Sequence, residues 1–231
     1  MPTRDFLLGF LISFFWMFTK NKIWYYKLRF IKERGKELQK KKLILASASP
    51  RRRELLNQVG IKYIVQPSDA EMDIEEIEGT PIEKTEKLAY MKAKDIAARN
   101  NNHMVIGADT IVVIGDEILG KPKDKSDAIR MLTKLNGREH QVITGIALID
   151  TDTGRELISH EVTYVKFRNL TDEMIEKYAA TGEPEGKAGA YAIQGIGAIL
   201  VEGIRGCYSN VVGLPLARLG MMLERMGRNV L

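Results

Sequence analysis

A carboxylate set between two apolar runs constrains this chain more than any other feature. Met104-Val105-Ile106 leads into Gly107-Ala108, and Ile111-Val112-Val113-Ile114 follows; Asp109 and Thr110 stand between them. Both runs have the β-branched, apolar character of a buried strand. An unpaired charge buried in a sheet carries a desolvation cost of several kcal/mol. Asp109 therefore has a partner or faces a cleft. Two roles are open for it: a strand-end Asp satisfied by backbone N–H groups, or a carboxylate that does chemistry.

The chain has 231 residues, enough for one substantial domain or two small lobes around a cleft. Its charge is uneven. Residues 1–42 hold 11 of the 35 Lys/Arg and 3 of the 30 Asp/Glu, which leaves 24 against 27 in the rest. The excess positive charge thus belongs to the N-terminal part. The body has no basic surplus of the kind that nucleic-acid backbones require, so no nucleic-acid partner is expected. One cysteine, Cys207, excludes a disulfide framework or a cysteine zinc site within one chain and suits a reducing cytoplasm.

Residues 1–41 read as an apolar and basic extension, and 42–231 as the working domain. Phe6 to Phe18 is continuously apolar but short of the ~20 residues of a standard span. A basic run from Lys27 to Lys42 follows it, the reverse of a signal peptide, and no cleavage site is visible. Three readings stand: a weak membrane-surface anchor, a short membrane insertion, or a start site placed upstream of a true one near Lys40. Membrane contact is expected only through this segment.

In the body, Lys42 to Ala46 reads as a strand that runs into Ser47-Ala48-Ser49-Pro50-Arg51-Arg52. Ser49 suits a helix N-cap and Pro50 the first helical position. Free N–H groups, hydroxyls and guanidinium forks would then point to one place, a plausible phosphate cradle; a capped helix with solvated arginines is the plainer alternative. Ile61 to Val65 reads as a second strand, Gln66 to Gly79 as an acidic loop, and Thr80-Pro81 as the start of a helix through Asn100. Lys92 on that helix reads as solvated. Glu117 to Leu119 reads as the return strand of a hairpin that delivers Gly120-Lys121-Pro122. A helix with Ala128, Met131, Leu132 and Leu135 inward follows, then strands over His140–Ile149 and Glu156–Phe167, and a helix capped by Thr171. Glu185 to Gly197 is glycine-rich around Lys187, Tyr191 and Gln194 and permits close approach to a planar ligand. Ala198 to Ile204 reads as a strand, Val211 to Pro215 as a turn, and Leu216 to Met226 as a closing amphipathic helix.

Arginine and lysine are what a polyphosphate asks for. A carboxylate can hold a divalent metal or orient a water for attack on phosphorus. A glutamine amide offers both a donor and an acceptor to a base edge. There is no Walker-type loop, and His103, His140 and His160 have no evident catalytic partner. Hydrolysis of a nucleotide phosphate therefore outranks acyl transfer.

These residues resemble the Maf family of nucleoside triphosphate pyrophosphatases. The resemblance runs from Leu43–Arg52 through Leu88-Ala89 with Lys92-Ala93, Gly107–Thr110, Gly120–Pro122 with Asp124, Lys187–Tyr191 with Ile193–Gly195, and Val212–Pro215. It covers residues 42–226, and nothing before Lys41 has a counterpart. It implies an α/β fold: a twisted mixed sheet with flanking helices and two lobes around a central cleft, like the inosine triphosphate pyrophosphatases. It implies a cytoplasmic enzyme, plausibly a homodimer, that releases monophosphate and pyrophosphate with a divalent cation, Mg2+ or Mn2+. Asp109 would be the catalytic and metal-holding carboxylate. Ser47, Ser49, Arg52, Lys92 and Lys121 would hold the triphosphate. Arg51, Thr110 and Gln194 match the branch that acts on dTTP and UTP. The family's acidic pattern departs at Asp69–Asp73, where Met72 falls on the usual Glu, and Glu71 is taken as the substitute metal ligand. A Maf-type enzyme of other base specificity (7-methyl-GTP or ITP-like) and an interaction protein of septum formation are the alternatives.

Overall fold

A computed structural model describes residues 41–70 and 72–230. The readings made on residues 1–40 and on Glu71 lie outside the described residues. None of the helices described is long and apolar enough to cross a membrane.

The frame is one seven-stranded mixed sheet in the order β2 (Tyr63–Val65), β1 (Lys42–Leu45), β3 (His103–Ile114), β5 (Glu139–Asp150), β6 (Glu156–Phe167), β7 (Val201–Arg205), with β4 (Glu117–Leu119) paired to β3. β1 runs parallel to both β2 and β3. Leu43, Ile44 and Leu45 are all buried, as a continuous apolar run between two parallel neighbours requires. β3, β5 and β6 pair antiparallel over most of their length, and β7 closes that edge. The two apolar runs around Asp109 are one strand, with Asp109 opposite Gly145 and Thr110 opposite Thr144.

Side chains alternate across β3. On one face, Ile44, Val105, Ala147 and Ile149 pack against Ala89, Ala93 and Ile96 of α2 (Pro81–Ala97). Two glycines let this helix lie against the sheet. A Cβ at Gly107 would fall 2.1 Å from the Ala89 carbonyl oxygen, and one at Gly145 would fall 2.5 Å from that of Thr85. The opposite face carries two separate apolar cores. One joins Leu43, Leu45, Met104, Ile106 and Leu148 to α1 (Pro50–Gln58) and α6 (Leu216–Arg225). The other joins Val112, Val142, Val165 and Phe167 to α3 (Lys125–Leu135) and α4 (Asp172–Ala179).

A polar belt divides these cores into two lobes. Thr144 Oγ1 lies 2.9 Å from Thr110 Oγ1 and donates to the Asn210 carbonyl at 3.2 Å. Asn210, on the short helix α5 (Tyr208–Val212), donates from Nδ2 to the Val142 carbonyl at 2.9 Å and to Thr163 Oγ1 at 3.0 Å. Buried hydroxyls need such partners, and this network supplies them.

Three local expectations are corrected. Ala198 to Ile204 is not one strand: a 3₁₀ turn spans Gly195–Leu200 before β7 begins at Val201. Gly195 sits at φ 64, and the amides of Ile196 and Gly197 are taken by Glu183 rather than by a neighbouring strand. The segment entering Gly213 is helical at α5 rather than a simple turn, and Gly213, at φ 123, ends it. The helix begun at Pro81 stops at Ala97, three residues before Asn100.

Candidate active site

The cleft follows from a gap in the sheet. Along one edge of β3, β1 pairs as far as Ile106 and β4 (Glu117–Leu119) pairs only from Val112 onward. Between them the edge from Gly107 to Ile111 has no strand beside it among the described residues. A cavity of about 980 Å³ opens there. Asp109 and Thr110 point to opposite faces of the strand, yet both border it because the edge between them is open.

Ser47, Ser49, Arg51, Arg52, Lys92, Asp109, Thr110, Lys121 and Gln194 all line this cleft. Glu71 alone among the candidate residues lies outside the described part. Lys92 Nζ reaches from α2 to within 2.6 Å of Asp109 Oδ1, both side chains being about four-fifths buried. The lysine read as solvated is thus the partner that the strand carboxylate required.

Arg52 is fixed on three sides. Its Nε donates to the Gly213 carbonyl at 2.8 Å, Nη1 to Ser47 Oγ at 3.0 Å and Nη2 to Thr110 Oγ1 at 3.1 Å. Burial pushes its pKa below the ordinary value, and the charge of Asp109 opposes that shift. Thr110 is therefore joined to the arginine and, through Thr144, to the polar belt. Burial also lowers the pKa of Arg51, which Glu54, Tyr178 and Glu183 counter.

Helix α1 opens at the cleft with Pro50 in its first turn and no side-chain cap from Ser49. By contrast, Thr80, Asp124 and Thr171 cap the starts of α2, α3 and α4. The first-turn amides of α1 are left available to an anion. On the far wall, the Gly189 amide donates to the Gly120 carbonyl at 3.0 Å and ties the glycine-rich segment to the Lys121 turn. The side chains of Arg51, Lys121 and Gln194 make no hydrogen bond within the described chain.

Lys187 also lines the cleft and was missing from the expected phosphate ligands. Its ammonium donates to the Glu183 carbonyl. Burial and the nearby charge of Arg51 lower its pKa, against Glu183 and Glu185. Its place in the Lys-Ala-Gly-Ala-Tyr stretch was the available signal. Tyr191 also borders the cleft. It packs edge-on against Phe167 at 4.8 Å between ring centres, and its hydroxyl lies 2.8 Å from His140 Nε2. His160 pairs with Glu86, and His103 with the Asn101 carbonyl.

The carboxylates at hand are few. Asp73 and Glu185 also line the cleft, and the described residues contain no group of three or more His, Cys, Asp or Glu able to hold a metal ion. Magnesium ordinarily uses one or two carboxylates together with substrate phosphates, so this oxygen set fits a cation that arrives on a polyphosphate.

Curated relatives align with about four fifths of this chain. The dTTP/UTP pyrophosphatase of Ruminiclostridium cellulolyticum is 57% identical over 82% of this chain and 98% of its own length. That of Desulforamulus reducens is 49% identical over 80% and 96%. That of Clostridioides difficile is 49% identical over 79% and 94%. Among solved structures, the dITP/XTP pyrophosphatase of Mycobacterium abscessus aligns over 80% of this chain and 98% of that one, at 14% identity and a TM-score of 0.41. The Maf-like protein family matches residues 42–226, a span that contains every described cleft residue named above. This chain belongs to the Maf-like family.

Proposed function

We propose that this protein hydrolyses dTTP and UTP to the monophosphate and pyrophosphate, clearing surplus or modified pyrimidine nucleotides. The observation that carries the reading is the strand carboxylate Asp109, paired with Lys92 in a cleft that Arg52, Lys121 and Lys187 also line, with the amide of Gln194 on the same wall. The relatives' shared name supports it.

Each residue has a definite task. The α1 amides, Ser47, Ser49, Arg52 and Lys121 bind the triphosphate and offset its charge. Arg52 is preorganised by its three bonds, so little reorganisation is needed when phosphate arrives. Asp109, oriented by Lys92, accepts a proton from the water that attacks phosphorus. Asp109 is also the residue that would hold a divalent cation. When bound, that cation would neutralise phosphate charge and polarise the phosphoryl oxygens. Gln194 reads the pyrimidine edge, and Arg51 lines the same cleft. Cytoplasmic residence and a homodimer belong to the same reading; the free thiol of Cys207 supports the first, and light scattering tests the second.

The test is pyrophosphate release from dTTP, UTP, CTP, dCTP, GTP, 7-methyl-GTP and ITP with Mg2+ or Mn2+. Selective cleavage of dTTP and UTP is expected. Preference for another base would overturn the base assignment alone, and no cleavage of any would overturn the chemistry.

A further inference from the structure

The segment that carries Gln194 is irregular: Tyr191 and Gln194 are extended, and Gly195 is left-handed. Side chains hold it. Glu183, just beyond α4, accepts the Ile196 amide at 3.0 Å through Oε2 and the Gly197 amide at 2.8 Å through Oε1. Tyr178, in the last turn of α4, donates its hydroxyl to Glu183 Oε1 at 2.9 Å and accepts the Ala192 amide at 3.2 Å. The bonded amides lie on both sides of Gln194. Thr181 Oγ1 accepts the Glu183 amide at 3.1 Å and so fixes the carboxylate's own turn.

The neighbouring glycines lie close against the same pair. A Cβ at Gly195 would fall 2.6 Å from Glu183 Oε2, and one at Gly197 would fall 2.3 Å from the Ala192 carbonyl oxygen and 2.6 Å from the Tyr178 hydroxyl. The Gln-Gly-Ile-Gly spacing thus makes room for a carboxylate and a phenol. Burial opposes ionisation of Glu183, but the donors from Gly197, Ile196 and Tyr178 outweigh it and hold its pKa below the ordinary value. Amide bonds to an ionised carboxylate are the strong kind.

We propose that Glu183 and Tyr178 form a clamp that sets the position of the Gln194 amide and thereby governs base selection without touching the nucleotide. The proposal rests on the reading of Gln194 as the base-contacting residue. Both are positioning residues.

The experiment compares the full chain with Glu183→Gln and Tyr178→Phe, using steady-state pyrophosphate release from dTTP, UTP, CTP and GTP, amide exchange over residues 192–197, and thermal melting. Glu183→Gln keeps the shape but loses one acceptor, worth about tenfold for a charge-assisted bond. The expected result is a KM for dTTP and UTP raised by about that factor, kcat little changed and preference over GTP eroded to match, with faster exchange at Ile196 and Gly197. Tyr178→Phe should move the same readouts less. An equal loss on all four nucleotides, or unchanged exchange at Ile196 and Gly197, would overturn the clamp. If Glu183→Gln fails to fold, Tyr178→Phe decides by the same two criteria. No pyrimidine preference in the unaltered chain would overturn both the Gln194 reading and the clamp's part in base selection; the exchange rates would still report whether the clamp holds the loop.

Discussion

Lys92 Nζ lies 2.6 Å from Asp109 Oδ1 and joins helix α2 to the open edge of β3. The pair exists because Gly107 and Gly145 allow the helix to approach the sheet. It accounts for a carboxylate in the middle of an apolar strand and aims that carboxylate into the cleft. Asp109→Asn should leave the fold intact and cut turnover by roughly 10²–10⁴, the usual range for a positioned acid–base group. Pyrophosphate release together with circular dichroism checks this, and near-normal turnover would remove Asp109 from the reaction.

Gly107→Ala tests the helix approach itself. Its Cβ would meet the Ala89 carbonyl oxygen at 2.1 Å and the Ala93 amide at 2.7 Å, so α2 must retreat. A loss of about 1–3 kcal/mol of stability is expected, with a larger fall in kcat than the fraction unfolded explains. Denaturant titration alongside steady-state rates separates the two effects.

Gln194→Glu should weaken the use of dTTP and UTP while the melting temperature stays near its starting value. The Gln194 side chain makes no hydrogen bond within the described chain, so the change removes no internal hydrogen bond there. Unchanged base preference across a nucleotide panel would show that this amide does not read the base.

His140 offers a pH test. Burial lowers its pKa from the ordinary 6.5 to about 4. The unfolded chain therefore binds this proton more readily than the folded one. The stability linked to neutral His140 is fully present above about pH 6.5 and falls as pH drops towards 4, by up to about 3 kcal/mol. Urea midpoints from pH 7.5 to 4.5 should decline. A His140→Phe variant that declined just as steeply would assign the loss to other groups.

Lys41 is buried between two carboxylates just before β1. Its ammonium, 6% exposed, lies 2.6 Å from Asp150 and 2.9 Å from Asp152. A chain starting at Lys41 should keep the full kcat. Lys41→Met should lower stability by about 3–5 kcal/mol by leaving Asp150 buried without its cation. Equal melting temperatures for Lys41→Met and the unaltered chain would show that water or another group replaces the lysine.

Much of this was legible in the residues. Strand β3, the hairpin at Gly115-Asp116, the inward face of α3 and the cap at Thr171 follow from short-range pattern, and the structure has them. The cleft lining followed from resemblance. Long-range partners were not legible: Lys92 carries no local mark of the strand it meets. Glu183 and Tyr178 act on amides more than ten residues further along, in a segment whose irregular backbone has no period to read. The 3₁₀ turn before β7 was hidden for the same reason, since Ala198-Ile199-Leu200-Val201 is apolar enough to pass for strand.

The polar belt separates two lobes, but β3, β5 and β6 pass beneath both without interruption. Among the described residues the lobes share these three strands, so turning one lobe against the other means bending the sheet. Bending three paired strands together would strain their whole hydrogen-bond ladder. At the rim, the Gly189–Gly120 bond and the bonds from Glu183 and Tyr178 hold the Lys121 turn and the Glu185–Gly197 segment against this floor. The floor acts as a rigid template whose spacing is set before any ligand binds.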